Sequence, residues 1–332
     1  MRDVTAVSLG DNSVYLVSLD GARVLIDTGP DFRGATALIQ EGLGHGLPDL
    51  VVATHGHLDH AGLGAWWQSL GVPVAMHRLD WPLATGDEPS EEEFVALERF
   101  VQDCGAPTDV VREALAGVEA RRRWSAEARD DYRPAGRDRR WPSGLRYAPF
   151  TPAKGLEEAV VPGLELIHLR GHTPGNAVAW VPSEGWLFSG DQLLPGLTPT
   201  PALQGHHGAG GPDWRLRSLP LFLDGLRRIQ KLAPERCFPG HGEPFGDVTA
   251  VAEANLAQAE QRAERALDIL RAAGPCTVYR LAEALYPRAV RRRFWQIVAT
   301  VQGLLDLLEA RGQAVKDGVR WEAAQAASAS RS

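Results

Sequence analysis

The chain has 332 residues, 44% hydrophobic and 23% charged, with a formal net charge of -7. These values exclude a disordered or low-complexity chain, argue against a continuous nucleic-acid-binding coat, and suit one large domain with a smaller one beside it. Three scattered cysteines, Cys104, Cys237 and Cys276, exclude a disulfide framework and fit a reducing compartment.

In chain order, Met1 to Thr5 opens directly into a strand-like pattern with no long apolar leader, and no apolar run reaches bilayer length. A cytoplasmic protein without membrane contact is expected. Val14-Tyr15-Leu16-Val17 and Val24-Leu25-Ile26 flank Asp20-Gly21, the signature of a β-hairpin. Asp27 follows, either as a turn residue or as an acceptor for the second N–H of a histidine. A short helix over 35–42 precedes the apolar strand Leu50-Val51-Val52-Ala53.

That strand ends in Thr54-His55-Gly56-His57-Leu58-Asp59-His60. A strand ending in a polar, glycine-containing turn delivers its next residues to the sheet rim, where side chains converge. One histidine there would mean little. Three histidines and an aspartate this close leave a dense polar cluster that is costly to bury without partners. Imidazole nitrogens with a carboxylate are what a divalent metal such as zinc takes.

After a helix from Ala61, Val72 to His77 reads as the next strand, with His77 expected to be structural. Residues 87–160 change character. Ser90 and Glu93 form a capping-box pattern ahead of a helix, and Thr108 to Gly117 forms a second one. An arginine- and tryptophan-rich stretch from Arg121 to Pro142 reads as a solvated face, with a lid as the alternative. Three more strands then end in polar residues: His172 in Gly171-His172-Thr173-Pro174-Gly175, Asp191 after Ser189-Gly190, and His241 between Gly240 and Gly242. Four strand ends carrying compatible ligands in this order are a strong signal. In the loop Gln204-Gly205-His206-His207-Gly208, His206 or His207 is a candidate for substrate contact, and a plain glycine-rich loop is the alternative.

These motifs resemble the metallo-β-lactamase superfamily across about residues 1–250. The resemblance implies an αββα sandwich with a helical insertion at about 87–160, followed by a winged-helix-like domain over 251–332. It implies that His55, His57 and His172 hold one metal, that Asp59, His60 and His241 hold a second, and that Asp191 bridges them. Asp191 argues against the antibiotic-hydrolysing members, and His57 stands where flavodiiron relatives usually carry Glu. The implied activity is hydrolysis of an ester, thioester or lactone of a small metabolite by a hydroxide shared between two divalent ions, zinc first and iron or manganese next. Asp59 is the implied catalytic side chain. The alternative is a metal-dependent ribonuclease or phosphodiesterase whose C-terminal domain holds RNA. A winged-helix regulator with a relict hydrolase domain is improbable with all seven ligands present.

The C-terminal domain carries its own signals. Val278 to Leu285 and Phe294 to Leu308 read as amphipathic helices, and Asp317-Gly318 as the turn of a closing hairpin. Residues 255–332 contain 12 Arg and Lys against 8 Asp and Glu, a balance of +4 that leaves -11 for the rest. Arg288, Arg291, Arg292 and Arg293 concentrate this charge. Docking on the acidic catalytic domain, or a homodimer contact, is favoured over nucleic acid, which needs a marked basic groove.

Overall fold

Strand β2, Asn12–Leu19, shows in eight residues how this chain builds layers. Val14 and Leu16 face one way and Tyr15 and Val17 the other, because side chains alternate across a strand. All four are buried, in two different clusters. A sheet buried on both faces must be covered on both.

The computed structural model describes residues 2–44, 46–86, 90–126 (backbone only for 121–126), 141, 143–146, 148–196, 203–205 and 214–324. The chain begins with β1 (Asp3–Leu9), β2, β3 (Ala22–Ile26) and helix α1 (Ala35–Leu43), then β4 (Leu50–Val52). Helices α2 (Leu58–Ala61) and α3 (Gly64–Ser69) precede β5 (Val74–Ala75). The strands form one sheet in the order β1-β2-β3-β4-β5. Helices α4 (Trp81–Thr85), α5 (Glu91–Asp103) and α6 (Thr108–Ala126) follow. The capping box at α5 is formed: Ser90 Oγ accepts from Glu93 N, and Glu93 accepts from Ser90 N.

The second sheet runs β6 (Glu165–His168), β7 (Ala177–Val181), β8 (Trp186–Gly190) and β9 (Arg236–Pro239), with α7 (Ser218–Leu232) between the last two. Between the sheets lies one core of Tyr15, Val17, Ile26, Val52, Ala179, Phe188 and Phe238. Phe188 and Phe238 stack at 4.8 Å, and Tyr15 packs against both rings. Outside the first sheet, Val14, Leu16 and Val51 meet Phe32 and Ile39 of the α1 segment and Trp67 of α3. Outside the second, Val178, Trp180 and Leu187 meet Phe222, Leu223 and Leu226 of α7. This is the αββα arrangement expected.

The chain closes with α8 (Val248–Ala273), β10 (Cys276–Thr277), α9 (Val278–Leu285), α10 (Phe294–Ala310), β11 (Ala314–Asp317) and β12 (Arg320–Ala323). The three strands pair in the order β10-β12-β11. Helix α8 starts before the expected boundary at residue 250 and runs past it without a break. Leu270, Val298, Leu304 and Leu305 belong to the same cluster as Phe222 of α7 and Leu187 of β8. Val101, Val110 and Ala114 of the inserted helices join it too. The Tyr279 amide donates to Cys104 O at 2.9 Å, and Arg291 pairs with Asp109 at 2.9 Å. Among the described residues no helix is long and apolar enough to cross a membrane.

A core that runs without interruption from β8 to α10 unfolds as one unit. Leu305 is fully buried in it. Leu305→Ala is expected to cost about 2–5 kcal/mol, read by urea unfolding as a shift of a single transition, with fluorescence and circular dichroism tracking together. A separate C-terminal transition would contradict the shared core.

Candidate metal centre

The site forms where the strands of both sheets end. Asp27, just past β3, adopts φ 63°, which turns its carboxylate onto the neighbouring parallel strand. Its Oδ1 accepts from Thr54 N at 2.7 Å and Thr54 Oγ1 at 2.8 Å. Its Oδ2 lies 2.8 Å from His60 Nδ1. Of the two alternatives for Asp27, the bonds are those of an acceptor for a histidine N–H, with Thr54 as its other partner. Thr54 Oγ1, whose proton goes to Asp27, lies 3.1 Å from His55 Nδ1 and accepts from it. With those protons assigned outward, His55 and His60 each turn a bare Nε2 into the cleft.

The seven side chains assemble in two sets. His55, His57, His172 and Asp191 offer ligand atoms within 4.8 Å of one another, and so do Asp59, His60 and His241. His55 Nε2 is 3.0 Å and His172 Nε2 3.1 Å from His57 Nδ1. Asp191 stands between the sets. Its Oδ2 is 3.2 Å from His172 Nε2, and its Oδ1 is 3.3 Å from His60 Nε2 and 3.4 Å from His241 Nε2. His241 donates its Nδ1–H to the Asp11 carbonyl at 3.0 Å and points Nε2 to Asp59 Oδ2 at 3.4 Å.

This geometry fits a cation. His60 Nε2 and Asp191 Oδ1 are buried without a hydrogen bond, although buried polar atoms almost always have one. His55 Nε2 and His172 Nε2 both lie about 3 Å from His57 Nδ1, and a proton on that nitrogen can be shared with only one of them. A cation between them would engage all three nitrogens at once, and the donor set of imidazoles and carboxylates is one that divalent metals take.

Electrostatics divides the two sets. Burial pushes His57 down to about 3, with His172 adding to the effect. Burial likewise holds His55 well below its ordinary value, helped by His60 and His57. For His60 burial acts in the same sense, but Asp191, Asp27 and Asp59 outweigh it and raise the group well above 6.5. His241 is raised against burial by Asp59 and Asp191. Burial opposes the charge of Asp59, yet His60 and the hydrogen bond from His241 hold its carboxyl below the usual range.

Sequence reasoning missed the residue that ties the histidine loops together. Asp80 is fully buried. Its Oδ2 accepts from Gly56 N at 2.9 Å and Thr173 Oγ1 at 2.6 Å, and its Oδ1 from Gly175 N at 2.6 Å. One carboxylate thus fixes the loop bearing His55 and His57 against the loop bearing His172. Gly175 is required there, since a Cβ would sit 2.7 Å from Asp80 Cγ. In sequence Asp80 stands before Trp81-Pro82 and reads as an ordinary helix cap. His77 lies apart from the seven and stacks on His168, ring centroids 3.8 Å apart. His206, His207 and residues 127–140 lie outside the described residues, as do the side chains of 121–126.

Two sheets between helices, with a His/Asp cluster where their strands end, define a metal-dependent hydrolase of the sandwich type. The family model of the metallo-beta-lactamase superfamily matches residues 7–241, and the chain belongs to that superfamily. It is 29% identical over 321 residues to the probable metallo-hydrolase YqjP of Bacillus subtilis, covering 93% of this chain and 91% of that one. A metallo-beta-lactamase family protein from Thermus thermophilus superimposes with a TM-score of 0.67 at 23% identity, covering 97% of this chain and 98% of its own. A beta-lactamase domain protein from Burkholderia ambifaria gives 0.68 at 19% identity, covering 97% and 92%. Both structural likenesses take in the C-terminal helices as well as the sandwich.

Removing the Asp80 carboxylate strands three donors. Asp80→Ala is expected to destabilise the chain by about 2–5 kcal/mol, at about 1–3 kcal/mol per unsatisfied buried group with partial relief by water. Urea unfolding reads the loss, and lowered metal content at equal protein concentration reads the loosened loops. Stability within about 0.5 kcal/mol of wild type, the scatter of neutral surface changes, would show that the loops do not depend on it.

Proposed function

We propose that this protein hydrolyses an ester, thioester or lactone of a small metabolite with two divalent ions, zinc by preference. His55, His57 and His172 hold one ion, Asp59, His60 and His241 the other, and Asp191 reaches both. The observation that carries this reading is the placement of Asp191, whose two oxygens face different histidine sets at 3.2 to 3.4 Å. When bound, such a pair of ions supplies a nucleophile from water near neutral pH and a counter-charge for the developing oxyanion.

The chain's own residues do the rest. Asp27 and Asp80 hold the histidine-bearing turns, so the ring nitrogens converge without rearrangement. Asp59 has the most open carboxylate of the seven-residue set, its side chain 18% exposed against 12% for Asp191. We assign Asp59 to orient the attacking water, with the leaving group protonated by Asp59 or by a metal-bound water.

A small substrate is favoured over RNA by the use made of the basic side chains. Arg291 is engaged by Asp109, Arg215 by Asp306, Arg217 by Glu309 and Arg311 by Glu260. The pairs of Arg215, Arg217 and Arg291 tie the C-terminal unit to the rest of the chain, and that of Arg311 ties the end of α10 to α8 within it. The order of β10, α9, α10 and a hairpin whose β12 pairs with β10 supports the winged-helix reading of that unit.

A panel of thioesters, lactones, carboxylic esters and short RNA, each run with and without chelator, tests the reading. Turnover is expected on an acyl substrate, abolished by EDTA and by His57→Ala. Asp59→Asn is expected to cut kcat about 10²–10⁴-fold, the usual contribution of a positioned acid or base. Arg291→Ala is expected to leave acyl turnover unchanged. Chelator-sensitive cleavage of RNA alone, weakened by Arg291→Ala, would replace this reading with the nuclease one.

The two ligand sets also predict a pH dependence. His60 and His241 have raised values, so protons compete with a cation for them at higher pH than for an ordinary imidazole. His57, near 3, has none to release above about pH 4. Calorimetric titration in two buffers of different ionisation enthalpy should show more proton release for the step that fills the His60 site than for the step that fills the His57 site. Apparent affinity at the His60 site should fall more steeply than at the His57 site as the pH is lowered from neutrality.

A further inference from the structure

The chain that leaves Asp191 returns to the centre through Gln204, a side chain 9% exposed. Its amide nitrogen lies 3.0 Å from Nε2 of His57, the nitrogen opposite the one turned to His55 and His172. With Nδ1 given to the cluster, the proton of the neutral ring sits on Nε2. An amide presents oxygen or nitrogen by a half-turn, and the hydrogen-bond network decides which. Facing an N–H, the Gln204 amide is assigned the half-turned orientation, with its oxygen in the place of the nitrogen.

What holds Gln204 comes from two distant parts of the chain. Leu216 N donates to the Gln204 carbonyl at 3.0 Å, and Gly205 forms a β-bridge with Arg215. The Arg215 guanidinium grips Asp306 of α10 with two hydrogen bonds of 2.5 and 2.6 Å. Asp306 is 1% exposed and also accepts from Gln302 Nε2 at 2.8 Å. A planar fork on a carboxylate fixes direction as well as distance, which suits a strut. From the other side, a Cβ on Gly205 would fall 1.4 Å from Glu93 Oε1, so a larger residue there would displace the side chain that caps α5. Leu203 and Trp214 pack with Phe94 and Leu97 of α5 and with Trp295 of α10.

We propose that Gln204 is a positioning residue that accepts the outer N–H of His57, and that α10 sets it there through the Arg215–Asp306 pair. This rests on the reading of His57 as a metal ligand. The C-terminal unit is then part of the metal centre's frame: a carboxylate on α10 reaches His57 through Arg215, Gly205 and Gln204. Outer partners of this kind fix the ring and raise its basicity, and their loss costs about 10–100-fold in metal affinity.

The test uses full-length wild type, Gln204→Leu, Gln204→Glu and Asp306→Asn. Each is stripped with EDTA and titrated with Co²⁺ against a chromophoric chelator, and the zinc-loaded forms are compared by ¹⁵N-histidine NMR. Gln204→Leu is expected to weaken one ion about 10–100-fold and to lose one slowly exchanging imidazole N–H signal. Gln204→Glu keeps an acceptor and is expected to retain both. Asp306→Asn is expected to move both readouts in the direction of Gln204→Leu. Wild-type affinity with an unchanged N–H signal in Gln204→Leu and Asp306→Asn overturns the proposal, and so does a Gln204→Glu variant as impaired as Gln204→Leu. If Gln204→Leu does not fold, the Gln204→Glu and Asp306→Asn results decide by the same criteria. A wild type that takes up no metal overturns the underlying functional reading instead, and is recognised in the first titration.

Discussion

Everything in this molecule is arranged around a group of side chains that repel or strand one another when left to themselves. Five imidazoles and two carboxylates meet where the strands end, with several ring nitrogens about 3 Å apart. Such a cluster persists only if its surroundings over-determine it. They do so with carboxylates set one layer back. Asp27 spans the turn at Thr54 and the ring of His60. Asp80 spans the turn at Gly56 and the turn at Gly175. Each joins two segments that the sheets alone would leave free to part.

The sandwich explains why those segments can be joined at all. Parallel pairing of β3 with β4 brings Asp27 beside Thr54, and parallel pairing of β8 with β9 brings Asp191 beside the strand that leads to His241. The inter-sheet core of Tyr15, Phe188 and Phe238 then locks the two sheets in register. Tyr15 adds a direct link, its hydroxyl donating to the Pro239 carbonyl at 2.8 Å. Ligands from both sheets therefore converge on rigid strand ends, where small displacements are resisted by a packed core.

The C-terminal unit and the inserted helices complete the frame on the side of the second sheet. They share one hydrophobic cluster with α7 and β8, and their ion pairs are directed inward to the rest of the chain. This matters chemically, because the segment carrying Gln204 and Arg215 is held between α5 and α10. Part of the basic charge in this part of the chain meets acidic partners within the same molecule, Arg291 on Asp109 and Arg311 on Glu260, a use that charge counting cannot distinguish from an external anion.

Much of this was legible in the residues. The alternation of buried side chains along β2 and β7 follows from period-two apolar patterning, and the αββα layering follows from strands apolar on both faces. The seven cluster residues were legible because each sits directly after an apolar strand in a turn rich in glycine or proline. Asp317-Gly318 marked the last hairpin for the same local reason. Three things were decided only by the tertiary structure. Asp80 looks like a helix cap until Gly56 and Gly175 arrive from elsewhere. Gln204 looks like a polar loop residue until His57 faces it. Arg215 and Asp306, 91 positions apart, carry no pattern that would pair them. Strand periodicity and turn chemistry are local and are written in short windows of sequence. A hydrogen bond between distant segments depends on where the whole chain places them, and the residue that makes it is chemically indistinguishable, in sequence, from one that merely faces water.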